Sequence, residues 1–130
     1  MSETDLLRTF YESFSHGDWE ATLELCDPMV EVRLPPNVVS QISPRGRESV
    51  EKYLRGWLET WDEYHPIPEH FIDASDGEHV VVFVRVHARG KGSRFAMDEE
   101  VADVFAVRDG RISELRLYME REKALALVGS

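Results

Sequence analysis

Apolar residues spaced three and four positions apart predict two helices at the start of the chain. The first helix begins after a capping residue, Thr4 or Asp5, and ends at Gly17. Its apolar face consists of Leu6, Leu7, Phe10, Tyr11 and Phe14. Asp18 then caps a short second helix. The apolar side chains of this second helix are Trp19, Leu23 and Cys26.

A strand and a long third helix are predicted next. Val30, Val32 and Leu34 alternate with charged residues, which is the period of a strand with one buried face. Two prolines stop this strand, and the polar stretch from Asn37 to Pro44 is expected to be a loop. The third helix runs from near Gly46 to about Glu63. Its apolar stripe consists of Val50, Tyr53, Leu54, Trp57, Leu58 and Trp61.

Four strands and a final helix complete the predicted order, which is α-α-β-α-β-β-β-β-α. The predicted segments are a strand entered through Pro66 and Pro68 and ending near Asp73, a strand from Glu78 to Arg89, two strands between Met97 and Met119, and a helix from about Glu120 to Val128. Helices on one face of an antiparallel sheet make an α+β domain, and a chain of 130 residues is long enough for one domain. A sheet that bends around these helices leaves a conical hollow.

Asp103 interrupts the apolar face of the strand that starts at Met97. If residues 108–110 form a three-residue hairpin loop, the apolar faces of the last two strands coincide, and Asp103 points into them opposite Leu115. A two-residue loop would set Asp103 beside Arg116 on the wet face, but it would split the apolar sets. We favour the first register. A buried acid is unfavourable unless it is hydrogen-bonded or put to use, so Asp103 is the candidate catalytic acid or base.

Two other charged side chains have a place near this hollow. Glu99 shares the face of Asp103 and lies either at the rim of the pocket or at a solvated strand end. Arg85 is expected on the outer face, opposite Asp98. A register shift at the Gly90–Gly92 turn would instead bring Arg85 into the hollow beside Asp103.

Composition limits the classes of partner. The formal net charge of −10 argues against binding to nucleic acid or to an anionic membrane. The longest apolar run, Val80 to Val84, is too short to span a bilayer. The single cysteine, Cys26, excludes an internal disulfide and suits a reducing compartment, and the acidic first residues lack an apolar signal core, so we expect a cytoplasmic protein. The histidines show no metal-binding spacing, and we expect neither a metal nor another cofactor.

Three segments resemble recurring segments of the SnoaL-like branch of the nuclear-transport-factor-2-like (NTF2-like) superfamily. They are Phe14 to Trp19 (FSHGDW), Gly46 to Val50 (GRESV) and Val104 to Ile112 (VFAVRDGRI). The resemblance covers essentially the whole chain and implies a cone-shaped α+β barrel, often a homodimer through the outer face of the sheet. Relatives include ketosteroid isomerases, polyketide cyclases, epoxide hydrolases, dehydratases and non-catalytic binding proteins, so this fold does not by itself define a function.

The ketosteroid isomerase site is only partly present under this resemblance. The position of its general base corresponds to Leu34, and the position of its oxyanion tyrosine corresponds to Phe10. Its second acid, in a Val-x-Asp-Val context, matches Asp103. Proton transfer by the isomerase's own route is therefore not expected. In relatives the position of Cys26 faces the cavity, and here we expect a buried, unreactive thiol.

The sequence thus predicts a pocket protein for a small, mostly apolar ligand. The first hypothesis is a cofactor-free enzyme of the cyclase or isomerase type that acts on a carbonyl compound through Asp103. The alternative is a non-catalytic ligand-binding or dimeric assembly module of the same fold. The candidate pocket residues are Phe10, Phe14, Cys26, Leu34, Tyr53, Leu54, Trp57, Trp61, Met97, Glu99, Val101, Phe105, Leu117 and Met119.

Overall fold

Four helices and five strands make up the described part of the chain. The computed structural model describes residues 2–33, 43–90, 92, 96–119 and 121–129, with the backbone alone at 118–119 and 127–129. The helices are α1 (Glu3–Ser15), α2 (Trp19–Glu24), α3 (Arg47–Glu59) and α4 (Arg121–Gly129). The strands are β1 (Cys26–Val32), β2 (Trp61–Asp73), β3 (His79–Gly90), β4 (Ala96–Arg108) and β5 (Arg111–Met119). The predicted element order and the α+β class are confirmed.

The five strands form one curved sheet in the order β1-β5-β4-β3-β2. β1 is parallel to β5, and the other neighbours are antiparallel. The inner face packs against α1, α2 and α3 through a large apolar core that includes Leu7, Phe10, Leu54, Val82 and Phe105. A smaller apolar cluster on the outer face lies under α4. The sheet therefore separates a helix-covered inner layer from an outer surface.

Capping residues set the starts of the first two helices. α1 begins earlier than predicted, because Ser2 rather than Thr4 or Asp5 is the N-cap; its side chain accepts a hydrogen bond from the Asp5 N–H at 3.1 Å. Asp18 caps α2 as predicted and accepts from the Ala21 N–H at 3.2 Å.

The third helix is shorter than its apolar stripe predicts. α3 ends at Glu59, and Trp61 is the first residue of β2 instead of the last apolar residue of a helix. Trp57 and Trp61 are four apart, a spacing that fits a helix although the second residue lies in a strand. Pro66 and Pro68 lie within β2 rather than before it. β2 is an edge strand with a neighbouring strand on one side only, so a missing N–H costs fewer hydrogen bonds between strands there than in a central strand.

The first strand starts earlier than predicted. Cys26 is the first residue of β1 and not part of α2, which ends at Glu24. Asp27 and Pro28, expected to form a turn before the strand, lie inside β1, where an Asp27 carboxylate oxygen accepts from the Met29 N–H at 2.8 Å. Leu34, the two prolines after it and residues 37–42 of the predicted loop lie outside the described residues.

The hairpin between β4 and β5 has a tighter turn than predicted. Asp109 and Gly110 form a two-residue turn that pairs Arg108 with Arg111. Both turn residues have left-handed backbone angles, with φ of 54° and 76°, which is the combination that type I′ hairpins require. The predicted three-residue loop is therefore wrong.

A β-bulge after this turn nevertheless restores the predicted face. The register shifts by one residue at Ser113, so that Phe105 pairs with Leu115 and the two apolar faces coincide. Phe105, not Asp103, is the residue opposite Leu115. The shared inner face was predicted correctly, although the turn that was expected to produce it was not.

Arg85 lies on the outer face of the sheet. Val84 and Val86, its neighbours along β3, belong to the inner core. Arg85 pairs in register with Glu100 rather than with the predicted Asp98, whose carboxylate lies 3.7 Å away from the guanidinium. The register that would bring Arg85 beside Asp103 is not observed.

Candidate functional site

Asp103 is a buried carboxylate on the inner face of β4, with 4% of its surface exposed. Its partner in register on β3 is Val82, which is fully buried in the inner core. Among the described residues no other acidic side chain is buried. Side chains alternate between the two faces along a strand, so Asp103 shares the inner face of β4 with Phe105, two residues further along the chain.

The strand pairing is irregular at Asp103. Ala102 pairs with Met119 and Val104 with Arg116, so β5 carries one residue more than β4 across this step. This is a second β-bulge of the hairpin. Bulges redirect side chains and occur preferentially next to active sites, so the irregularity is consistent with a functional position.

The phenol of Tyr11 donates a hydrogen bond to Oδ2 of Asp103 at 2.6 Å. Tyr11 lies on α1 and is itself only 4% exposed, so the bond joins the helix layer to the sheet inside the core. The distance is typical of a hydroxyl that donates to a carboxylate. Burial disfavours a charged Asp103, and a hydrogen bond from the Tyr11 hydroxyl favours it, so this bond contributes to making a carboxylate tolerable at this depth.

Two phenyl rings hold the Tyr11 side chain in place. The centroid of the Tyr11 ring lies 5.7 Å from that of Phe10 and 5.8 Å from that of Phe105, both in edge-to-face contact. Phe10 and Phe105 also contact each other edge to face at 5.5 Å. Such contacts stabilise a defined ring orientation, so the phenol is directed at Asp103 before any ligand binds.

A chain of aromatic rings continues from this pair towards α3 and β2. We call Phe10, Phe14, Tyr64, Trp57 and Trp61 the aromatic array. Phe10 stacks on Phe14 at 5.8 Å, and Phe14 contacts Tyr64 at 6.0 Å. Trp57 lies 6.1 Å from Tyr64 and 5.7 Å from Trp61. Tyr64, Trp57 and Trp61 are only partly buried, so this end of the array reaches the surface.

The predicted pocket residues fall into three groups. Phe10, Phe14, Cys26, Leu54 and Phe105 are buried in the inner core. Tyr53, Trp57, Trp61, Met97, Val101 and Leu117 are partly buried and pack against that core. Glu99 is exposed although it pairs with the buried Val86, which fits the solvated strand end better than a pocket wall. Leu34 and the side chain of Met119 lie outside the described residues. Ligand contact by any of these residues stays a prediction.

The Cys26 thiol is buried and is a poor nucleophile. Burial raises its pKa to about 12, and the positive charge of Arg47 offsets this only in part. The guanidinium of Arg47 donates through Nε and Nη2 to the Cys26 carbonyl oxygen, at 3.1 and 2.6 Å. Arg47 of the GRESV segment therefore ties the start of α3 to the start of β1.

An open groove of about 520 Å³ lies beside the first turns of α3. Its lining residues are Ser43, Pro44, Arg45, Ser49, Lys52 and Tyr53. Tyr53 also packs on the inner core, and burial raises the pKa of its phenol. This residue therefore connects the groove with the inner core.

Within the described ranges, no three or more His, Cys, Asp and Glu side chains lie close enough to hold a metal ion. No helix in the same part of the chain combines the length and apolar character needed to cross a bilayer.

Tyr11 is the site residue that sequence reasoning missed. It was assigned to the apolar face of the first helix, and the oxyanion tyrosine of the isomerases was matched to its neighbour Phe10. A signal was present, because Tyr11 is the one phenol on that face and a buried phenol needs a partner as much as a buried carboxylate does. Burial alone therefore indicated that Tyr11 needs a hydrogen-bond partner, but not that this partner is Asp103.

Comparison with known proteins gives a family and a fold. A family model described as SnoaL-like domain matches residues 7–115. The comparison with curated proteins gave no significant match.

Solved structures with the same fold cover nearly the whole chain. An NTF2-like protein of unknown function from Burkholderia pseudomallei is 20% identical, with a TM-score of 0.77 and 100% of both chains covered. A proposed polyketide cyclase from Xanthomonas campestris is 22% identical, with a TM-score of 0.72 and 97% of this chain and 96% of that chain covered. A Mycobacterium tuberculosis protein in complex with estradiol-17β-hemisuccinate is 14% identical, with a TM-score of 0.71 and coverage of 92% and 94%. The predicted NTF2-like fold is confirmed.

Proposed function

Because this chain belongs to the SnoaL-like domain family, we propose that it binds a small, mostly apolar carbonyl compound and catalyses proton transfer of the cyclase or isomerase type without a cofactor. The observation that carries the proposal is the buried pair of Tyr11 and Asp103 on the inner face of the sheet. We propose a reducing compartment, the cytoplasm, as its location, since its one cysteine is a buried free thiol.

The relatives support a small-molecule ligand. One solved structure of the same fold is a proposed polyketide cyclase, and another is a complex with estradiol-17β-hemisuccinate. In this chain the aromatic array offers ring faces and edges on which a flat apolar body could pack.

The proposed step is an enolisation. The Asp103 carboxylate takes a proton from the carbon next to the carbonyl group. The electron pair of the broken C–H bond forms the C=C bond of an enolate, and the π pair of the C=O bond moves to the carbonyl oxygen. The protonated Asp103 exchanges its proton with solvent and then returns a proton to carbon, which gives the original ketone with solvent hydrogen at that carbon or an isomeric ketone. Tyr11 is a positioning residue in this scheme, because it holds Asp103 through Oδ2 and stabilises the charged form.

Deuterium exchange tests the proposal without knowledge of the substrate. Cyclohexanone and 1-tetralone are incubated with the protein in D2O, and loss of the proton signal next to the carbonyl is followed by NMR. We expect exchange above the buffer rate, and a decrease of roughly 10²- to 10⁴-fold in Asp103→Asn, which keeps the shape and accepts a hydrogen bond from Tyr11. Asp98→Asn, an exposed acid on the same strand, is the matched control. Equal rates in Asp103→Asn and in the control would contradict the proposal.

One observation favours the non-catalytic alternative. Asp103 already accepts a 2.6 Å hydrogen bond, and both members of the pair are 4% exposed, which is what a structural pair also requires. Titration with estradiol-17β-hemisuccinate, followed by tryptophan fluorescence, separates the two functions. Binding without any ketone exchange identifies a ligand-binding module, whereas Asp103-dependent exchange identifies an enzyme.

A further inference from the structure

The open groove beside the first turns of α3 differs in charge from the rest of the chain. We call it the α3 groove; its lining residues are Ser43, Pro44, Arg45, Ser49, Lys52 and Tyr53. Two of these six residues carry a positive charge and none carries a negative one, although the chain has 25 acidic and 15 basic residues. The α3 groove is therefore a positively lined surface on a protein of net charge −10. Such a surface is complementary to an anion.

The polar groups that line the α3 groove have hydrogen-bonding capacity left for a ligand. Among the residues that the structure describes, the Lys52 ammonium has no ion-pair partner, and the hydroxyls of Ser49 and Tyr53 have no hydrogen-bond partner. Nη2 of Arg45 donates to the Glu31 carboxylate at 3.2 Å. A guanidinium has further N–H groups in a planar fork, so Arg45 can bind a second oxygen acceptor at the same time.

The charges at the α3 groove favour a ligand with a single negative charge. Lys52 and Arg45 are both positive, and the Glu31 carboxylate already neutralises one of these two charges through its ion pair with Arg45. One positive charge is left to be balanced. A carboxylate carries one negative charge, whereas a phosphate monoester carries about −1.5 to −2 at pH 7. The charge balance therefore selects a monocarboxylate.

The other lining residues favour an apolar ring attached to that carboxylate. The rings of Pro44 and Tyr53 are the apolar surfaces of the α3 groove, and Tyr53 also packs against the inner core, which holds it in place. Burial raises the pKa of the Tyr53 phenol, so the hydroxyl keeps its proton at neutral pH and can donate to a carboxylate oxygen. The volume of about 520 Å³ lies within the range of small-molecule sites, roughly 300–1,000 Å³.

We infer that the α3 groove is a binding site for a small monocarboxylate with an apolar ring. Lys52 and Arg45 hold the carboxylate. The ring packs on Pro44 and Tyr53. This site goes beyond the proposed enzymatic function and does not depend on it, because Asp103 is not among the residues that line the groove.

Benzoate is the simplest probe of this ligand class. Sodium benzoate is titrated into ¹⁵N-labelled protein, and the amide signals are followed by NMR. We expect saturable shifts at Ser49, Lys52 and Tyr53, with a dissociation constant on the order of 1 mM for a ligand this small. Benzamide has the same shape without the charge, and inorganic phosphate has charge without the ring. Both should bind at least roughly fivefold more weakly, and equal binding of either at the same ionic strength would overturn the inference.

Two lysine variants distinguish a specific site from general attraction of an anion. Lys52→Gln removes a charge from the α3 groove, and Lys123→Gln removes the same charge from an exposed position of α4. Lys52→Gln should weaken benzoate binding roughly three- to tenfold and Lys123→Gln by less than about twofold, because only the first lysine contacts the ligand. Equal effects of the two substitutions would contradict the site. The amide spectrum of each variant reports whether it is folded.

Tyr53→Phe tests the hydroxyl separately from the charge. Loss of this one donor should weaken benzoate binding roughly two- to fivefold, while the ring that packs on the core is kept. Benzoate binding that is unchanged in both Lys52→Gln and Tyr53→Phe would exclude the α3 groove as the site.

Asp103→Asn shows whether benzoate enters the site of the proposed enzyme instead. This variant should bind benzoate within about twofold of the wild type, because its substitution lies outside the α3 groove. Shifts centred on Tyr11 and Phe105 that change in Asp103→Asn would assign benzoate to the inner core and overturn the inference. The ketone exchange assay is a separate measurement, so either proposal can fail without the other.

Discussion

At the scale of single residues, the hydrogen bond between Tyr11 and Asp103 accounts for a carboxylate in an apolar layer. Asp103 is nearly excluded from water, and its Oδ2 accepts a hydrogen bond from the Tyr11 hydroxyl at 2.6 Å. Removal of the donor leaves the acceptor buried without that partner, which is more unfavourable than the loss of an exposed hydrogen bond. The pair therefore contributes to stability whether or not Asp103 also takes part in catalysis.

Tyr11→Phe should lower the free energy of unfolding by about 1.5–3 kcal/mol, because the hydroxyl donates to a buried charged group. The double variant with Asp103→Asn should be destabilised by less than the sum of the two single variants, since the two residues act as one pair. Urea unfolding measures each value, and Tyr53→Phe, a half-buried phenol on α3, is the control. Additive effects would show that the bond contributes no coupling.

At the scale of elements, the turn between β2 and β3 depends on Asp76. Its carboxylate accepts hydrogen bonds from the Glu78 N–H at 2.8 Å, from the His79 N–H at 3.0 Å and from Nδ1 of His79 at 2.5 Å. These bonds lower the pKa of Asp76 from 3.8 to about 2, with the Glu78 N–H as the largest cause. The turn is therefore sensitive to acid although it lies at the surface.

Asp76→Asn should remove a pH-dependent part of the stability. A carboxyl group whose pKa is lower in the folded state stabilises that state above its unfolded pKa of 3.8, and the contribution is lost as the pH falls through about 2. The difference in urea midpoint between wild type and variant should be constant above pH 4 and vanish between about pH 4 and 2. Asp62→Asn, which removes an exposed carboxylate from β2, is the matched control. A difference that persists undiminished at pH 2 would contradict the assignment.

At the scale of the whole molecule, Phe105 joins the helix layer to the sheet. It is fully buried at the centre of the inner core, pairs with Leu115 across the strands and contacts the rings of Phe10 and Tyr11 on α1. Since β4 is a central strand of the sheet, a cavity at this position would loosen both layers.

Phe105→Ala should destabilise the fold by about 3–5 kcal/mol, the range for large buried aromatic side chains. Ile67→Ala is the comparison, because Ile67 is 48% exposed on the edge strand and its loss should have an effect below about 1 kcal/mol. Chemical denaturation of both variants gives the two values. Similar losses in the two variants would mean that the core is not organised around Phe105.

Local pattern was sufficient for much of the fold. The face of the first helix, the order of elements and the inner position of Asp103 all follow from periods of 3.6 and 2, which depend only on neighbours along the chain. Local pattern failed where a helical spacing continued into a strand. Trp61 follows Trp57 by four residues, as on one face of a helix, but it lies in β2. Local pattern failed again at Cys26, whose membership of β1 depends on pairing with β5, distant in sequence.

The sequence alone therefore determined the α+β class and the position of Asp103 among apolar side chains, because the spacing of apolar and polar residues within short segments is sufficient to predict both. Only the tertiary structure decided that Tyr11 is the partner of Asp103, since 92 positions separate the two residues along the chain. It alone also decided that a tight Asp109-Gly110 turn and a bulge at Ser113 together bring Phe105 opposite Leu115. Contacts between distant segments depend on how the helix layer packs on the sheet, and the helix and strand periods along the chain do not specify that packing.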